Sequence, residues 1–239
     1  MMKSIKYSFH IHTFRCGHAA MDCDELYIKK AIEMGNKAIV FSDHTPFPSN
    51  PFSGRMKMEQ LNEYIESLQN LKQKYCDQIM VYIGLEVEFL PEYISYYEWL
   101  REKFDFFMLG QHHTSFGVED YTFSKSHSTS ECYIRLLESI PEALKTGLFD
   151  IVAHPDRNFC CDDNWSNVED NFAKEIIDAA DSCDVYLEKN ISSIENGKFR
   201  ENFWKLVSSG SKIIYGLDAH SVDELERRYK KIIYASNKV

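Results

Sequence analysis

The stretch "SIKYSFHIH", residues 4–12, is an apolar run that ends in two histidines, His10 and His12. Six further runs rich in Ile, Val, Phe and Tyr follow it along the chain. They are "KAIVFSDH" (37–44), "IMVYIGLEVEF" (79–89), "FDFFMLGQHH" (104–113), "FDIVAHPD" (149–156), "DVYLEKN" (184–190) and "KIIYGLDAH" (212–220). Because these runs are nearly continuous in apolar character and do not alternate, they are typical of strands buried on both faces of a parallel sheet.

Helical stretches lie between the runs. Periodic apolar residues, acidic first turns and a serine cap predict helices in the following segments. They are "DELYIKKAIEMG" (24–35), "MEQLNEYIESLQNLKQKY" (58–75), "EYISYYEWLREK" (92–103), "SECYIRLLESI" (130–140), "VEDNFAKEIIDAADS" (168–182), "RENFWKLVSSG" (200–210) and "VDELERRYKKIIYAS" (222–236). Strand and helix therefore alternate in seven βα units with right-handed crossovers, which form either an open doubly wound sheet or a closed barrel.

Polar side chains at the ends of the runs favour the barrel. Six of the seven runs end in residues that bind metals: His10 and His12, Asp43 and His44, Glu86 and Glu88, His112 and His113, His154 and Asp156, and Asp218 and His220. An open sheet would spread these ends along a line that is too long for one site. A barrel gathers them in a ring, and the active sites of barrels lie on that face.

Length and charge limit the class of protein. A chain of 239 residues with 44% hydrophobic residues and no apolar stretch of membrane-spanning length fits one globular domain over residues 1–239. The formal charge of −10 argues against broad binding of nucleic acid, which requires a basic surface. A small anionic substrate stays possible because a metal cluster supplies positive charge locally.

The cysteines and the N-terminal segment favour a cytoplasmic protein. The start of the sequence lacks the pattern of a signal peptide, and the seven cysteines are an odd number without a repeating spacing. Together these features favour a reducing compartment and thiols over a disulfide scaffold. Cys16, between His12 and His18, is either a metal ligand or, as we favour here, a small residue that fills a loop.

The spacing of the polar residues suits metal binding. Residues two apart in a strand point to the same side, so His10 and His12 can direct two imidazoles to one ion, and Asp218 and His220 repeat the arrangement. Pro155 should keep His154 extended. A carboxylate such as Glu86 in an apolar strand is costly without a cation or hydrogen bonds. Imidazoles with carboxylates suit zinc, iron or manganese.

Each residue also has a structural interpretation. A single His-x-His pair can simply be packed, and Asp43 and His44 can cap a loop. Glu86 can be a surface residue facing a lid, since Glu88 and Glu92 nearby resemble solvated residues. His112 and His113 cannot both point inward from one regular strand, and His127 is expected to be a loop histidine. These readings do not explain why seven histidines coincide with strand ends, which favours a metal centre.

The motifs "HIHT", "GHA", "SDHTP", "GLEVEF", "GQHH", "AHPDR" and "GLDAH" occur in this order over nearly the whole chain. In the order of these motifs, the sequence resembles the PHP (polymerase and histidinol phosphatase) class. Among the members of that class, it most closely resembles the stand-alone histidinol-phosphate phosphatases. The resemblance implies a distorted (β/α)7 TIM-like barrel with two or three divalent ions, such as zinc, iron or manganese.

The resemblance also implies ligand sets. One ion would be bound by His10, His12, Glu86 and Asp218, and a second would share Glu86 with His113 and His154. A third would be bound by His18, His44 and His220. His113 is preferred to His112 because the family pattern "G-S-V-H" aligns it three positions after Gly110.

The implied activity is hydrolysis of L-histidinol phosphate to L-histidinol and phosphate, a step of histidine biosynthesis, by a metal-activated hydroxide. Glu86, Asp218 and His220 would be the catalytic residues, and the leaving group would receive its proton from a metal-bound water or from His220. Arg157 is placed to bind a phosphate oxygen. Glu119, or its neighbour Asp120, is a candidate partner for the ammonium group of the substrate.

Other functions are compatible with parts of the pattern. A PHP-class nuclease or nucleotide phosphoesterase would use the same centre but needs a basic, aromatic groove. A metal-binding regulatory or storage protein would have no turnover. An amidohydrolase-like barrel would need a bridging lysine or another motif order. The oligomeric state is left open.

Overall fold

Nine β-strands are present in the computed structural model, which describes residues 6–48, 53–115, 121–123, 131–159 and 162–236. They are β1 (Tyr7–Ile11), β2 (Ala38–His44), β3 (Met80–Val87), β4 (Phe106–Leu109), β5 (His113–Ser115), β6 (Tyr121–Phe123), β7 (Ile151–Val152), β8 (Tyr186–Asn190) and β9 (Ile213–Gly216). Seven of them form one parallel sheet in the order β1-β2-β3-β4-β7-β8-β9, and β5 pairs with β6 in an antiparallel hairpin.

The helices alternate with the strands of the seven-stranded sheet. They are α1 (Asp24–Glu33), α2 (Leu61–Lys74), α3 (Ile94–Arg101), α4 (Glu131–Lys145), α5 (Asn167–Ser182), α6 (Ile191–Glu195), α7 (Glu201–Leu206) and α8 (Val222–Ser236). Each of the seven apolar runs contains one strand of the sheet, and each predicted helical segment overlaps one α-helix, with α4 extending five residues beyond its predicted end. The predicted α/β fold of the (β/α)7 barrel class is confirmed.

The chain divides into two compact units, which we describe separately. The first unit comprises Met1–Leu85 and Tyr215–Val239. In this unit β1 pairs in parallel with β2, and the segment after β9 continues beside β1. The backbone N–H of Leu217 donates to the carbonyl of Phe9 at 2.8 Å, and that of His12 donates to the carbonyl of Ala219 at 2.9 Å. The C-terminal ends of the strands at both ends of the sequence therefore lie side by side within this unit.

Large apolar side chains fill the first unit. Phe9, Ile11, Tyr27, Phe41 and Tyr64 are all buried. A fully buried side chain of this size stabilises the fold by about 1.5–3 kcal/mol relative to an exposed one. The packing fixes the strand ends that carry the polar residues.

The second unit comprises Glu86–Ile214. Within it β7 pairs in parallel with both β4 and β8, through Ile151 to Met108 on one side and to Tyr186 on the other. Helix α5 begins at a capping box, in which the Ser166 side chain accepts from the N–H of Val168 and Glu169 bonds back to Ser166. The strand ends of this unit carry the second group of polar residues.

No helix in the described ranges has the length and apolar character needed to cross a bilayer. The prediction of a single domain over residues 1–239 stays a prediction.

Candidate metal centre

The first unit gathers five histidines and an aspartate, which we call the histidine cluster. Its members are His10, His12, His18, His44, Asp218 and His220. The ring centroid of His12 lies 4.6 Å from that of His44 and 4.3 Å from that of His220. The rings of His18 and His220 are 4.5 Å apart. Imidazoles this close, beside a buried carboxylate, form a set of donors suited to a cation.

His10 and His12 converge through a distorted backbone. Their Nε2 atoms lie 3.0 Å apart, and Oδ1 of Asp218 lies 3.6 Å from Nε2 of His12. The pairing of β1 with β2 shifts register between Phe9 and Ile11, and His10 has φ 67°. The two imidazoles therefore meet because a bulge redirects His10, and not because a regular strand points both side chains to one side.

Backbone carbonyls orient two rings of the histidine cluster. Nδ1 of His18 lies 3.2 Å from the carbonyl oxygen of Cys16, and Nδ1 of His220 lies 3.1 Å from that of Asp218. A ring whose Nδ1–H donates to a carbonyl presents the lone pair of Nε2. In the part of the chain that the structure describes, Nε2 of His220 is buried and has no hydrogen-bond partner.

Asp43 lies beside His12 and is hydrogen-bonded to Thr13, the next residue along the chain. Oδ1 of Asp43 lies 3.9 Å from Nδ1 of His12, and its carboxylate accepts hydrogen bonds from the N–H and hydroxyl of Thr13. Burial raises the pKa of Asp43 to about 7, while the Thr13 hydrogen bonds act in the opposite direction. Asp43 is thus hydrogen-bonded to Thr13, the residue that precedes the short helix Phe14–Cys16.

A buried arginine, which the sequence analysis missed, holds the loop that carries His18. Arg15 binds Asp24 with both terminal nitrogens, at 2.8 and 2.9 Å, and contacts Glu63 and Thr13. Burial alone would lower the pKa of Arg15, but the bonds to Glu63 and Asp24 raise it above its usual value. Paired buried charges fix geometry, and removal of one partner leaves a costly uncompensated charge.

The second unit gathers Glu86, His112 and His154, which we call the Glu86 cluster. Oε1 of Glu86 lies 3.1 Å from Nε2 of His154 and 3.8 Å from Nε2 of His112. Gly110 makes room for this carboxylate, since a Cβ built there would lie 2.1 Å from Oε1 of Glu86. A buried carboxylate beside two imidazoles is a set of donors that zinc, iron or manganese accepts.

The two adjacent histidines take different positions in the structure. His112, and not the predicted His113, lies beside Glu86 and His154. His113 instead begins β5, and its Nδ1 lies 3.3 Å from Oε2 of Glu88. The reason is that β4 ends at Leu109, so strand alternation does not decide which of the two rings points inward.

Glu88 is buried, so the prediction of a solvated side chain is wrong. Its carboxylate accepts hydrogen bonds from the backbone N–H of His112 and His113 and lies 3.3 Å from Nδ1 of His112. Burial would raise the pKa of Glu88, but the two imidazoles hold it well below its usual range. Glu88 therefore orients His112 so that its Nε2 points to Glu86.

His154 adopts a left-handed backbone with φ 31° and ψ 54°, so the prediction that Pro155 keeps it extended is wrong. Its N–H donates to Oε2 of the buried Glu188 at 2.8 Å, and this bond holds the unusual conformation. Burial, with the nearby charge of Arg157, lowers the pKa of His154 to about 4. The ring is neutral at pH 7, which is the state that binds a metal.

Arg157 lies in the second unit at the end of β7, near the Glu86 cluster. Its Nε donates to the hydroxyl of Ser193 at 2.9 Å, and a terminal nitrogen donates to Oδ1 of Asn190 at 2.9 Å. Asn190 in turn donates to Glu188 at 3.1 Å. The guanidinium, whose charge acts on both His154 and His112, is held in place through these bonds.

Asp156, at the end of the fifth apolar run, is outside both clusters. Asp156 is buried and accepts a hydrogen bond from the N–H of Arg200 at 2.8 Å. Glu119, Asp120 and His127 lie outside the described residues. Glu188 and Asn190 were missed although "YLEKN" places a carboxylate in an apolar strand, the same signal that marked Glu86.

Comparison with known proteins adds a family and a fold. The family model of the PHP domain matches residues 8–192. Relatives include a protein from Deinococcus radiodurans named a probable histidinol-phosphatase, 32% identical over 159 residues, which is 62% of this chain and 59% of the relative. A histidinol-phosphatase from Bacillus subtilis is 32% identical over 90 residues, 35% of this chain and 34% of the relative. The matches thus span less than two thirds of the length of these curated relatives.

Two solved structures share the fold. The hisK protein from Listeria monocytogenes superposes with a TM-score of 0.78 at 18% identity, over 95% of this chain and 99% of the other. A histidinol phosphate phosphatase from Lactococcus lactis, solved with zinc, L-histidinol and phosphate, gives a TM-score of 0.68 at 20% identity, over 97% and 93% of the two chains.

Proposed function

Because the chain belongs to the PHP domain family, we propose that it is a metal-dependent phosphomonoesterase that hydrolyses L-histidinol phosphate to L-histidinol and phosphate. The main support is the Glu86 cluster, in which a buried carboxylate lies beside two imidazoles and the charge of Arg157 acts on both rings. The names of the relatives from Deinococcus radiodurans and Bacillus subtilis supply the substrate.

The side chains of both clusters fit divalent ions. Imidazole nitrogens and carboxylate oxygens are the donors that zinc, iron and manganese accept. Glu86 is 2% exposed, and an ionised carboxylate so deeply buried requires positive charge or hydrogen bonds nearby. Nε2 of His220 is buried without a hydrogen-bond partner within the described ranges, which is expected of a nitrogen that binds a metal.

We assign the ligands by unit. The histidine cluster would bind through His10, His12, His18, His44, Asp218 and His220, and the Glu86 cluster through Glu86, His112 and His154. Two or three divalent ions, with zinc as the first candidate, would lower the pKa of a water and offset the charge of a phosphate. That Glu86 is shared between two ions stays a prediction of the family resemblance.

The residues of the chain perform the remaining tasks. Arg157 is fixed by Asn190 and Ser193, so its guanidinium can bind a phosphate oxygen without a further loss of side-chain entropy. His154 is neutral at pH 7 and offers a lone pair, and Glu88 keeps His112 in the tautomer with Nε2 toward Glu86. His220 would be committed at both ring nitrogens, Nδ1 to the carbonyl of Asp218 and Nε2 to an ion, so we assign it as a ligand and not as the proton donor to the leaving alkoxide. Glu119 stays the predicted partner of the ammonium group.

A phosphate-release assay on purified protein tests the proposal. We expect release from histidinol phosphate after loading with zinc or manganese, and little cleavage of single-stranded DNA. Cleavage of DNA without hydrolysis of the phosphomonoester would favour a PHP-class nuclease, and no turnover on any phosphoester would favour a binding protein.

Substitution of the central carboxylate gives the sharper test. Glu86→Gln keeps the size of the side chain but removes its charge, so we expect metal content to fall and turnover to be abolished. Glu98→Gln, on the exposed face of α3, is the matched control and should retain activity. Near-normal hydrolysis by Glu86→Gln would contradict the bridging role.

The chemistry of the thiols favours a cytoplasmic location, which we also propose. Cys23, Cys76 and Cys183 are exposed thiols that are not in disulfides, and exposed thiols persist in a reducing compartment.

A further inference from the structure

The loop after β1 brings a thiol to the edge of the histidine cluster. Cys16 is fully buried, and its Sγ lies within 4.8 Å of a ring nitrogen of His18 and of His220, which themselves lie within the same distance. The sequence alone favoured Cys16 as a small residue that only fills space in the loop. The two imidazoles near its sulfur instead favour a role as a metal ligand.

The two imidazoles are already in the tautomer that a metal requires. Nδ1 of His18 lies 3.2 Å from the carbonyl oxygen of Cys16, and Nδ1 of His220 lies 3.1 Å from that of Asp218. When both Nδ1–H groups donate to carbonyls, both Nε2 lone pairs are left for an ion. Cys16 thus contributes twice, because its carbonyl orients His18 while its thiol faces the same space.

The backbone holds the thiol in this position. Cys16 ends a short 3-10 helix, Phe14–Cys16, and its N–H donates to the carbonyl of Thr13 at 3.1 Å. Gly17 then turns the chain with φ 81°, a conformation that favours glycine. Arg15, one residue earlier, is bound to Asp24 at both terminal nitrogens. A donor fixed on both sides loses little entropy when it binds an ion.

We propose that Cys16 Sγ, His18 and His220 together bind a divalent ion through one sulfur and two nitrogens, and that the thiolate makes this site prefer zinc over manganese. The inference rests on the proposed function and deepens it, since it assigns a ligand and a metal preference to one part of the histidine cluster. Thiolate is a soft donor that zinc and cobalt accept readily, whereas manganese prefers carboxylate and water oxygens.

Cobalt substitution tests this assignment with a readout that is independent of turnover. The full-length protein is stripped with a chelator, loaded with Co²⁺, and its absorption spectrum is recorded. A thiolate bound to cobalt gives an intense sulfur-to-metal charge-transfer band in the near ultraviolet, while histidine and carboxylate ligands give only weak visible bands. We expect the charge-transfer band in the wild type and its loss in both Cys16→Ser and Cys16→Ala.

Cys183→Ser is the matched control, because Cys183 is exposed and directly follows α5 in the other unit. It should keep the band. We also expect Cys16→Ser to bind zinc more weakly by more than about tenfold, the lower end of the loss that an outer hydrogen-bond partner alone causes, with manganese binding unchanged. Far-ultraviolet circular dichroism of the two Cys16 variants shows whether each is folded.

The outcomes separate this inference from the proposed function. Visible cobalt bands and phosphate release without a charge-transfer band would overturn the role of Cys16 and leave the phosphatase proposal intact. A charge-transfer band that persists in both folded Cys16 variants would also overturn it. Failure of the folded wild type to bind any divalent ion would contradict the metal centre itself.

Discussion

Three candidate ligands, His10, His154 and Asp218, have positive φ angles of 67°, 31° and 52°. Such a backbone costs a residue other than glycine on the order of 1–3 kcal/mol and persists only where neighbouring bonds enforce it. The N–H of His154 is held by Glu188, and the carbonyl of His10 accepts from the N–H of Ala219 at 3.1 Å. The types of these residues identified them from the sequence, but their conformations depend on partners that are distant along the chain and could not be predicted.

The two adjacent histidines make a matched pair for a mutational test. His112→Ala removes a ring from the Glu86 cluster, so we expect lower metal content and a large loss of turnover. His113→Ala removes a ring that contacts Glu88 and should have a clearly smaller effect on both. Metal analysis and initial rates measured on the two proteins side by side check this order. The reverse order would restore the ligand assignment implied by the family resemblance.

Glu188 is expected to act as a positioning residue, because it links His154 to the residue that holds Arg157. Its carboxylate accepts from the N–H of His154 and from Asn190, and hydrogen bonds to a charged acceptor contribute about 1.5–3 kcal/mol each. We expect Glu188→Gln to lower metal affinity by about 10- to 100-fold and to raise KM for the phosphate ester. Metal titration and steady-state kinetics measure the two effects.

Glu175→Gln, on the exposed face of α5, provides the control for that variant. A merely structural role of Glu188 would lower the thermal stability of the metal-free protein and leave both metal affinity and KM unchanged.

The apolar runs predicted every strand of the large sheet, but the sequence did not predict the strands of the hairpin or helix α6. Every apolar run became a strand, because a segment apolar on both faces can only be buried between layers. The hairpin of β5 and β6 was missed because three-residue strands such as "HTS" and "YTF" have no measurable alternation. Helix α6 was missed because it starts directly after β8, at a cap in which Asn190 accepts from the N–H of Ser193.

Helices α1 and α2 are joined by a carboxylate whose effect depends on pH. Oε1 of Glu25 accepts hydrogen bonds from the hydroxyl of Tyr75 and from Nζ of Lys74, and these bonds lower the pKa of Glu25 from 4.5 to about 2. A depressed pKa in the folded state stabilises the protein above pH 4.5, and this contribution is lost as the pH falls toward 2. We expect Glu25→Gln to remove this pH-dependent stabilisation.

Urea unfolding of wild type and Glu25→Gln across this pH range measures the effect. The difference between the two free energies of unfolding should shrink as the pH falls. Glu66→Gln, on an exposed position of α2, should show no such trend. A difference that stays constant with pH would contradict the assigned bonds.

At the scale of the whole molecule, ions bound to the folded chain should stabilise it. A ligand present at about 100 times its Kd raises the free energy of unfolding by about 2.7 kcal/mol. For a chain of this length, that increase corresponds to a rise in Tm of about 5–10 °C. We expect a chelator to lower Tm by this amount and zinc to restore it, as measured by differential scanning calorimetry. A Tm that is unchanged by chelator in a protein whose metal loss is verified would contradict stabilising sites in either cluster.

The sequence predicted the fold class, and it singled out most members of the two clusters, because strand ends, residue type and motif order all indicated the same solution. It did not predict the supporting residues. Arg15, Glu88 and Glu188 have their roles only through folded neighbours, and a single sequence does not distinguish a buried charged residue from a solvated one.

The first unit is built from both ends of the sequence, Met1–Leu85 and Tyr215–Val239. A ribosome releases the chain from its N-terminus, so His10, His12, His18 and His44 emerge long before Asp218 and His220. The Glu86 cluster, whose last member is His154, is fully synthesised while the histidine cluster still lacks two of its donors. Translation therefore completes the donor set of the Glu86 cluster before that of the histidine cluster.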